Sequence, residues 1–138
     1  SMERPADASS AVDPDNYRVT INAHNGYNVY ATNGVHYVLA KADDTFENIG
    51  RKFRISPRNL RRFNDLKDKK AQPLPGETVY IERKKKRWEG NAQHHICRDG
   101  ETAYSIGQSY GIRTRSVEKL NRLKRGEKLE KNRQIRIK

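Results

Sequence analysis

The sequence predicts an α+β protein made of two small β-α-α-β modules that are preceded by a β-hairpin. A 22-residue segment recurs 57 residues further along the chain, and in both copies two helical patterns lie between short alternating stretches. An Asn-Gly dipeptide also lies between two alternating stretches just before the first copy, which is a strong hairpin signal. Together these observations predict one hairpin followed by two similar modules.

The composition excludes several classes of protein. Of the 138 residues, 33% are hydrophobic, and no apolar run in the sequence is long enough to span a membrane. So small a chain has too little apolar material for a large cofactor cleft. A single cysteine excludes an internal disulfide framework. We therefore expect no cofactor and no membrane span.

The charge is strongly positive and unevenly distributed. The chain has 29 basic and 17 acidic side chains, which give a formal net charge of +12. Residues 1–35 hold two basic and four acidic side chains, so the positive excess lies in the remainder, where it attracts anionic polymers. Ser1-Met2 has the form of a cloning remnant, and residues 1–12 are mainly small and polar within a tail that covers residues 1–16. We expect a disordered tail there, and a longer parent protein.

The segment 17–36 is expected to hold most of the hairpin. Residues 27–31 and 35–39 alternate between apolar and polar side chains, and Thr32-Asn33-Gly34 lies between them. Because the second arm runs directly into the first module, we expect it to extend the sheet of that module.

The repeat relates residues 45–66 to residues 102–123. Seven of the 22 aligned positions are identical, namely Thr45/Thr102, Ile49/Ile106, Gly50/Gly107, Ile55/Ile112, Arg58/Arg115, Asn64/Asn121 and Leu66/Leu123. A fixed offset of this kind indicates repeated structural units. We place the modules at residues 37–83 and 94–138, with a basic linker at residues 84–93.

Each module is expected to open with a short strand, a polar turn and a helix. The strands are predicted at residues 37–40 and 95–98. Asp44 and Glu47 have the spacing of a capping box. Helix one has apolar positions i, i+3, i+4 and i+7 at Phe46, Ile49, Gly50 and Phe53, and at Ala103, Ile106, Gly107 and Tyr110. Glycine in a helix costs about 1 kcal/mol relative to alanine, so the matched glycines predict that another element passes close by.

A second helix and a last strand complete each module. Ser56-Pro57 predicts an N-cap and a first helical residue, and Gly111 predicts a left-handed helix end. The second helices point Leu60, Phe63, Val117 and Leu120 inward and end at Asn64 and Asn121. Turns at Pro75-Gly76 and Lys131-Asn132 lead to strands at residues 78–81 and 134–137.

Residues 37–83 and 94–138 resemble tandem LysM domains. The openings Asp44-Thr45 to Ile49 and Gly100-Glu101-Thr102 to Ile106 are similar to that family's Gly-Asp-Thr-x-x-x-Ile. The Ile-Gly of helix one, the Asn that ends helix two and the Pro-Gly before the last strand also match. Three positions depart from the family's pattern: Asp43 replaces Gly, Glu101 replaces Asp and Asn132 replaces Gly. The hairpin and two basic copies resemble the C-terminal tail of bacterial cell-wall glucosaminidases.

The resemblance implies a non-catalytic, monomeric pair of carbohydrate-binding modules that recognises peptidoglycan or a related N-acetylglucosamine polymer. Such a pair anchors a larger cell-wall protein in the bacterial cell envelope, periplasmic or extracellular. The family's shallow groove lies between the first strand–helix loop and the loop after helix two. Carried over by position, the glycan-binding residues are Asp43, Asp44, Thr45, Phe46, Asn64, Asp65, Leu66, Gly100, Glu101, Thr102, Ala103, Asn121, Arg122 and Leu123.

Structural roles are an alternative for many of these residues. Asp44, Thr45 and Thr102 have the positions of helix caps, and Leu66 and Leu123 are core candidates. The two asparagines at the ends of the second helices are candidates for closing those helices.

The sequence His94-His95-Ile96-Cys97 contains the ligand types of a metal site. On a strand His95 and Cys97 face one side and His94 the other. A structural zinc needs four converging ligands, and the sequence has no second ligand pair, so we expect no metal and a buried Cys97. No pattern activates this cysteine as a nucleophile, and the adjacent Asp43 and Asp44 side chains are expected to diverge, so we expect no catalytic residue.

The basic run at residues 83–87, followed by Trp88, has two interpretations. The favoured one is a solvated linker with Trp88 packed against one module, and the other is a binding site for nucleic acid or anionic polymer, with Trp88 stacking. Further basic residues lie on the predicted helices and the loops that flank them, at Arg51, Lys52, Arg58, Arg61, Arg62, Arg113, Arg115, Lys119 and Arg122. The second candidate function is therefore binding of nucleic acid or lipopolysaccharide, and the third is protein–protein assembly.

Overall fold

The computed structural model describes residues 19–24 and 26–138, which divide into two compact units, Val19–Lys84 and Lys85–Lys138. The N-terminal unit contains β1 (Val19–His24), β2 (Tyr27–Thr32), β3 (Val35–Leu39), α1 (Phe46–Phe53), α2 (Pro57–Phe63) and β4 (Thr78–Tyr80). The C-terminal unit contains β5 (His94–Ile96), α3 (Ala103–Tyr110), α4 (Thr114–Asn121) and β6 (Gln134–Arg136). The predicted disordered tail at residues 1–16 lies outside the described residues. Within residues 19–24 and 26–138, no helix has the length and apolarity that crossing a membrane requires.

The N-terminal unit is built on a four-stranded antiparallel sheet with the order β1-β2-β3-β4. Strands β2 and β3 form the predicted hairpin, in which Tyr30 lies opposite Tyr37. Asn33 and Gly34 make its turn with φ angles of 57° and 73°, values that these two residue types tolerate best. Strand β3 then pairs with β4, so the second arm of the hairpin is also the first strand of the module, as expected.

Strand β1 is an additional element that the sequence did not predict. It pairs with β2 and contains an irregularity in register between Thr20 and Asn22. The β-α-α-β module of this unit therefore carries two extra strands on one edge of its sheet.

The C-terminal unit has a two-stranded antiparallel sheet of β5 and β6. Helices α3 and α4 lie between these strands in the chain. The predicted fold class, two β-α-α-β modules preceded by a hairpin, is confirmed.

Threonine caps the first helix of each unit. The Thr45 hydroxyl accepts the Asn48 N–H at 3.0 Å, and the Asn48 side chain accepts the Thr45 N–H at 3.1 Å. Thr102 and Ser105 form the same reciprocal pair in α3. The capping box predicted for Asp44 is therefore wrong by one residue, because the carboxylate of Asp44 is engaged within the preceding turn.

The matched glycines of the first helices lie against the chain that leaves the same helix. A Cβ atom on Gly50 would lie 2.3 Å from the Ile55 carbonyl oxygen, and one on Gly107 would lie 2.4 Å from that of Ile112. Each isoleucine N–H also donates to the carbonyl of its glycine at 2.9 Å. The predicted close approach is confirmed, and the approaching element is the turn between the two helices.

Within each unit the apolar faces of the helices pack onto the sheet as a core, and the N-terminal unit has a further buried cluster of Val35, Tyr37 and Tyr80. In the N-terminal unit the core includes Phe46, Ile49, Leu60, Val38 and Val79. In the C-terminal unit it includes Ile106, Tyr110, Val117, Ile135, Ile137 and Trp88. Phe63 and Leu120, which were predicted to point inward, are only partly buried.

The segment predicted as a solvated basic linker contains buried side chains. Lys84 is 1% exposed, and its Nζ lies 2.6 Å from the Asp65 carboxylate. Burial lowers the pKa of Lys84, while the charge of Asp65 opposes that shift. Trp88 packs edge-on against Tyr110, with their ring centroids 5.2 Å apart. The module boundaries drawn from the sequence stay a prediction.

Candidate functional site

The first strand–helix loop of the N-terminal unit is fastened by an aspartate. The Asp44 carboxylate accepts the Lys41 N–H at 2.7 Å and the Tyr27 hydroxyl at 2.9 Å. Tyr27 comes from β2 and is buried. Ala42 and Asp43 remain exposed at the tip of the loop, where Asp43 has a φ of 67°. The contacts of Asp44 therefore hold the loop in place, while its tip at residues 42–43 stays exposed.

The equivalent loop of the C-terminal unit is fastened by a glutamate. Glu101 accepts the Arg98 N–H at 2.7 Å, and its carboxylate lies 2.8 Å from Nε2 of His95. His95 is buried on β5, and Tyr110 contacts its other ring nitrogen at 2.8 Å. Gly100 occupies the exposed tip with a φ of 80°, at the repeat position of Asp43. Both copies thus place a left-handed residue directly before the fastening carboxylate.

These contacts shift the acidity of the groups that make them. Burial raises the pKa of Tyr27 to about 12, and the hydrogen bond and charge of Asp44 add to the shift. Burial also pushes the pKa of Glu101 upward, but the hydrogen bonds from His95 and the Arg98 backbone outweigh it. The pKa of Glu101 therefore lies below its usual value, and the carboxylate is ionised at neutral pH.

A glutamine forms the opposite side of the N-terminal loop. The Gln72 side chain accepts the Phe46 N–H at 2.8 Å and donates to Glu47 at 2.8 Å. The hydrogen bond from Gln72 is the main reason that the pKa of Glu47 is lowered. Arg61, on α2, donates to the Ala71 carbonyl at 3.0 Å and so holds the loop that contains Gln72. The loop after α2 is therefore fixed beside the start of α1, with Leu74 65% exposed on it.

In the C-terminal unit, backbone hydrogen bonds hold the loop after α4 beside the first loop. Thr102 and Lys128 form an isolated antiparallel bridge, and the Leu129 N–H donates to the Glu101 carbonyl at 3.1 Å. Leu129 is buried. The loop after α4 is thus joined directly to the first loop of this unit.

The predicted residues after the second helices mainly hold the modules together. The Asn64 side chain donates to the carbonyls of Leu60 and Tyr80 and accepts the Tyr80 N–H. The Asn121 side chain likewise donates to the carbonyls of Val117 and Arg136 and accepts the Arg136 N–H. Each asparagine therefore joins the end of its helix to the last strand. Leu66 and Leu123 are partly buried and pack against the cores, Asp65 pairs with Lys84, and Arg122 is exposed.

The predicted residues of the first loops divide into three groups. Asp43 and Gly100 are exposed, whereas Asp44, Glu101, Thr45 and Thr102 fasten or cap, and Phe46 and Ala103 are buried. The structure brings these loops together with Gln72 and with residues 128–129, which no sequence pattern indicated. The loops that contain Gln72 and residues 128–129 have no sequence periodicity. Only the folded backbone therefore shows that these residues lie beside the first loops.

Cys97 lies beneath the C-terminal loop and is 2% exposed. Burial raises its pKa to about 11, and the nearby carboxylate of Glu101 adds to the shift. The thiol is therefore protonated at neutral pH, and a protonated thiol is a poor nucleophile. Ligand atoms of Cys97, His95 and Glu101 all lie within 4.8 Å of one another.

Comparison with known proteins identifies the modules. The LysM domain family matches residues 40–82 and 95–138. Among solved structures, the spore cortex-lytic enzyme SleL of Bacillus cereus aligns with a TM-score of 0.33 and 18% identity, over 74% of this chain and 22% of that chain. SleL of Bacillus megaterium QM B1551 aligns with a TM-score of 0.32 and 23% identity, over 73% and 22%. This chain thus spans about a fifth of the length of those enzymes. No curated protein matches the sequence.

Proposed function

Because this chain belongs to the LysM domain family over residues 40–82 and 95–138, we propose that it is a pair of non-catalytic modules that bind N-acetylglucosamine polymer, peptidoglycan above all. LysM domains are in general modules that bind peptidoglycan and related N-acetylglucosamine polymers. In this proposal the chain holds a larger protein on the bacterial cell wall.

The observation that carries the proposal is the repeated form of the first loops. In each unit an exposed left-handed residue, Asp43 or Gly100, is followed by an anchored carboxylate and a capping threonine. An N-acetyl group is an amide, so exposed loop N–H and C=O groups pair with it as they pair with backbone. A loop fixed before binding loses little conformational entropy when glycan binds.

The binding residues that we propose differ in role along each loop. The exposed backbone at residues 42–43 and 99–100 faces the sugar, and the carboxylates behind it keep the loop in shape. Leu74 offers an exposed apolar side chain for the sugar face or the acetyl methyl group. Asn64 and Asn121 support the site through the last strand instead of contacting glycan.

The experiment measures capture of the chain by purified insoluble peptidoglycan at low salt and at about 0.5 M salt. Ionic binding to a polyanion falls steeply at the higher salt concentration. The groove variant combines Ala42→Trp with Asp99→Trp, because both positions are exposed loop residues that neither cap a helix nor fasten a loop. The control combines Arg58→Trp with Arg115→Trp, which are exposed at matching positions of α2 and α4.

We expect the unchanged chain and the control to stay on peptidoglycan at high salt, and the groove variant to be released. Far-UV circular dichroism must show that both variants are folded. Capture of the folded groove variant at high salt would show that glycan binds elsewhere.

Binding of a polyanion is the second candidate function. Helices α2 and α4 carry exposed basic side chains at equivalent positions, Arg58 with Arg115 and Arg62 with Lys119. If this face is the functional one, the chain will leave peptidoglycan at about 0.5 M salt yet hold DNA or lipopolysaccharide at low salt. The Arg58→Trp and Arg115→Trp variant would then lose binding, and the groove variant would keep it.

A further inference from the structure

We propose that His95, Cys97 and Glu101 form a binding site in the C-terminal unit for one divalent cation of the zinc class. The ligand atoms of the three side chains all lie within 4.8 Å of one another. Nε2 of His95 and the Glu101 carboxylate are 2.8 Å apart. The site goes beyond glycan binding and lies beneath the loop that we propose for it.

The path of the chain explains how three residues converge. His95 lies on β5 and Cys97 follows its end, so the two side chains fall on the same face of the extended chain. The turn after β5 then reverses and brings Glu101 back over them, held by the Arg98 N–H at 2.7 Å. The sequence pattern showed two candidate ligands, and the turn supplies the third.

Neighbouring groups orient two of the ligands before any ion binds. The Tyr110 hydroxyl contacts Nδ1 of His95 at 2.8 Å and directs Nε2 toward Glu101. A histidine that binds a metal through one ring nitrogen usually makes a hydrogen bond through the other. The Arg98 N–H plays the same part for the carboxylate.

The combination of nitrogen, sulfur and oxygen ligands selects the kind of ion. Magnesium and calcium prefer oxygen ligands alone, whereas zinc accepts imidazole, thiolate and carboxylate together. The Cys97 thiol is protonated before binding, so the ion replaces the thiol proton, which is released to solvent. Zinc bonds of about 2.0–2.3 Å in a tetrahedron place ligand atoms about 3.3–3.8 Å apart. The His95–Glu101 pair would open from 2.8 Å, and any pair near the 4.8 Å limit would close by about 1–1.5 Å. Three protein ligands leave the fourth position for water.

The N-terminal unit supplies an internal comparison. At the equivalent repeat positions it carries Val38, Ala40 and Asp44. A valine and an alanine offer no ligand atom, so we expect one ion per chain.

The test uses the whole chain, stripped of metal with a chelator, and cobalt(II) as a spectroscopic substitute for zinc. We expect one equivalent of cobalt(II) to bind with the visible absorption of a tetrahedral complex and with thiolate-to-cobalt charge transfer in the near ultraviolet. Zinc should displace the cobalt and raise the midpoint of thermal unfolding, because a ligand that binds only the folded state stabilises it.

Three variants test the ligands. Cys97→Ala, which reproduces the alanine found at the same position of the N-terminal unit, should abolish the charge-transfer band and the zinc-dependent shift in unfolding. Glu101→Gln should weaken cobalt binding at least tenfold. His94→Ala, the matched control beside the site, should leave the spectrum and affinity unchanged. A charge-transfer band that survives in folded Cys97→Ala, or the absence of any such band in the unchanged chain, would overturn the proposal.

Discussion

The Tyr27 hydroxyl donates to the Asp44 carboxylate from 2.9 Å and thereby joins the N-terminal hairpin to the first loop of the adjacent module. In the C-terminal unit the equivalent carboxylate, Glu101, meets His95 at 2.8 Å. His95 belongs to the module's own first strand, whereas Tyr27 comes from β2, outside the β-α-α-β unit. The two modules therefore stabilise the same loop with side chains from different strands, and the hairpin is part of the first module's structure.

Removing the hydroxyl should destabilise the N-terminal unit. We expect Tyr27→Phe to lower the free energy of unfolding by about 1–3 kcal/mol, since a hydrogen bond to a charged carboxylate is lost. Urea unfolding followed by far-UV circular dichroism measures the change, and a double-mutant cycle with Asp44→Ala isolates the pair. A coupling energy near zero would contradict the prediction.

The same tyrosine predicts how stability changes at high pH. The pKa of Tyr27 is raised from 10.0 to about 12 in the folded chain, so between these values the unfolded chain loses a proton that the folded chain keeps. Stability must therefore fall as the pH rises through this range. Urea unfolding from pH 9 to 12 should show a shallower fall for Tyr27→Phe than for the unchanged chain, and parallel curves would show that Tyr27 ionises normally.

Cavities beneath the first helices should be costly in both units. Ile49 and Ile106 are fully buried, and we expect Ile49→Ala and Ile106→Ala each to lower stability by about 2–5 kcal/mol. Trp88, the single tryptophan, lies in the C-terminal core, so its fluorescence reports the unfolding affected by Ile106→Ala. A loss below about 1 kcal/mol at either position would contradict the tight packing of these two side chains.

The helical glycines should resist replacement by a better helix former. Alanine has the higher helix propensity, but its Cβ at position 50 or 107 would lie about 2.3–2.4 Å from a backbone carbonyl oxygen. We expect Gly50→Ala and Gly107→Ala each to destabilise by about 1–3 kcal/mol. Ser109→Ala, at an exposed position of α3, is the control and should change stability little. Neutral or stabilising glycine variants would show that the turn can move away.

Two binding modules on one polymer should reinforce each other. Once one module is bound, the other has a high effective concentration at the same polymer. If both grooves are active, Ala42→Trp alone and Asp99→Trp alone should each weaken capture by insoluble peptidoglycan much more than twofold. Binding isotherms of the two single variants and the double variant make the comparison. A single variant that binds as the unchanged chain does would identify an inactive module.

The sequence was most informative where structure depends on residues close along the chain. The hairpin turn at Asn33-Gly34, the start of α2 at Pro57 and the close approach at Gly50 were all predictable, because dihedral preferences and helical periodicity act within a few residues. The helix cap was misplaced by one position. Two adjacent polar residues, Asp44 and Thr45, both have side chains that can cap.

The repeat, and with it the LysM fold and the position of the two first loops, was determined by the sequence alone, since each module repeats the same local signals. Only the tertiary structure decided which side chain meets each loop: Tyr27 for Asp44, His95 for Glu101, and Gln72 for the start of α1. These contacts join residues on separate strands, turns and loops. They depend on strand register, on the tightness of a turn and on the path of an aperiodic loop, which are set when the whole unit packs.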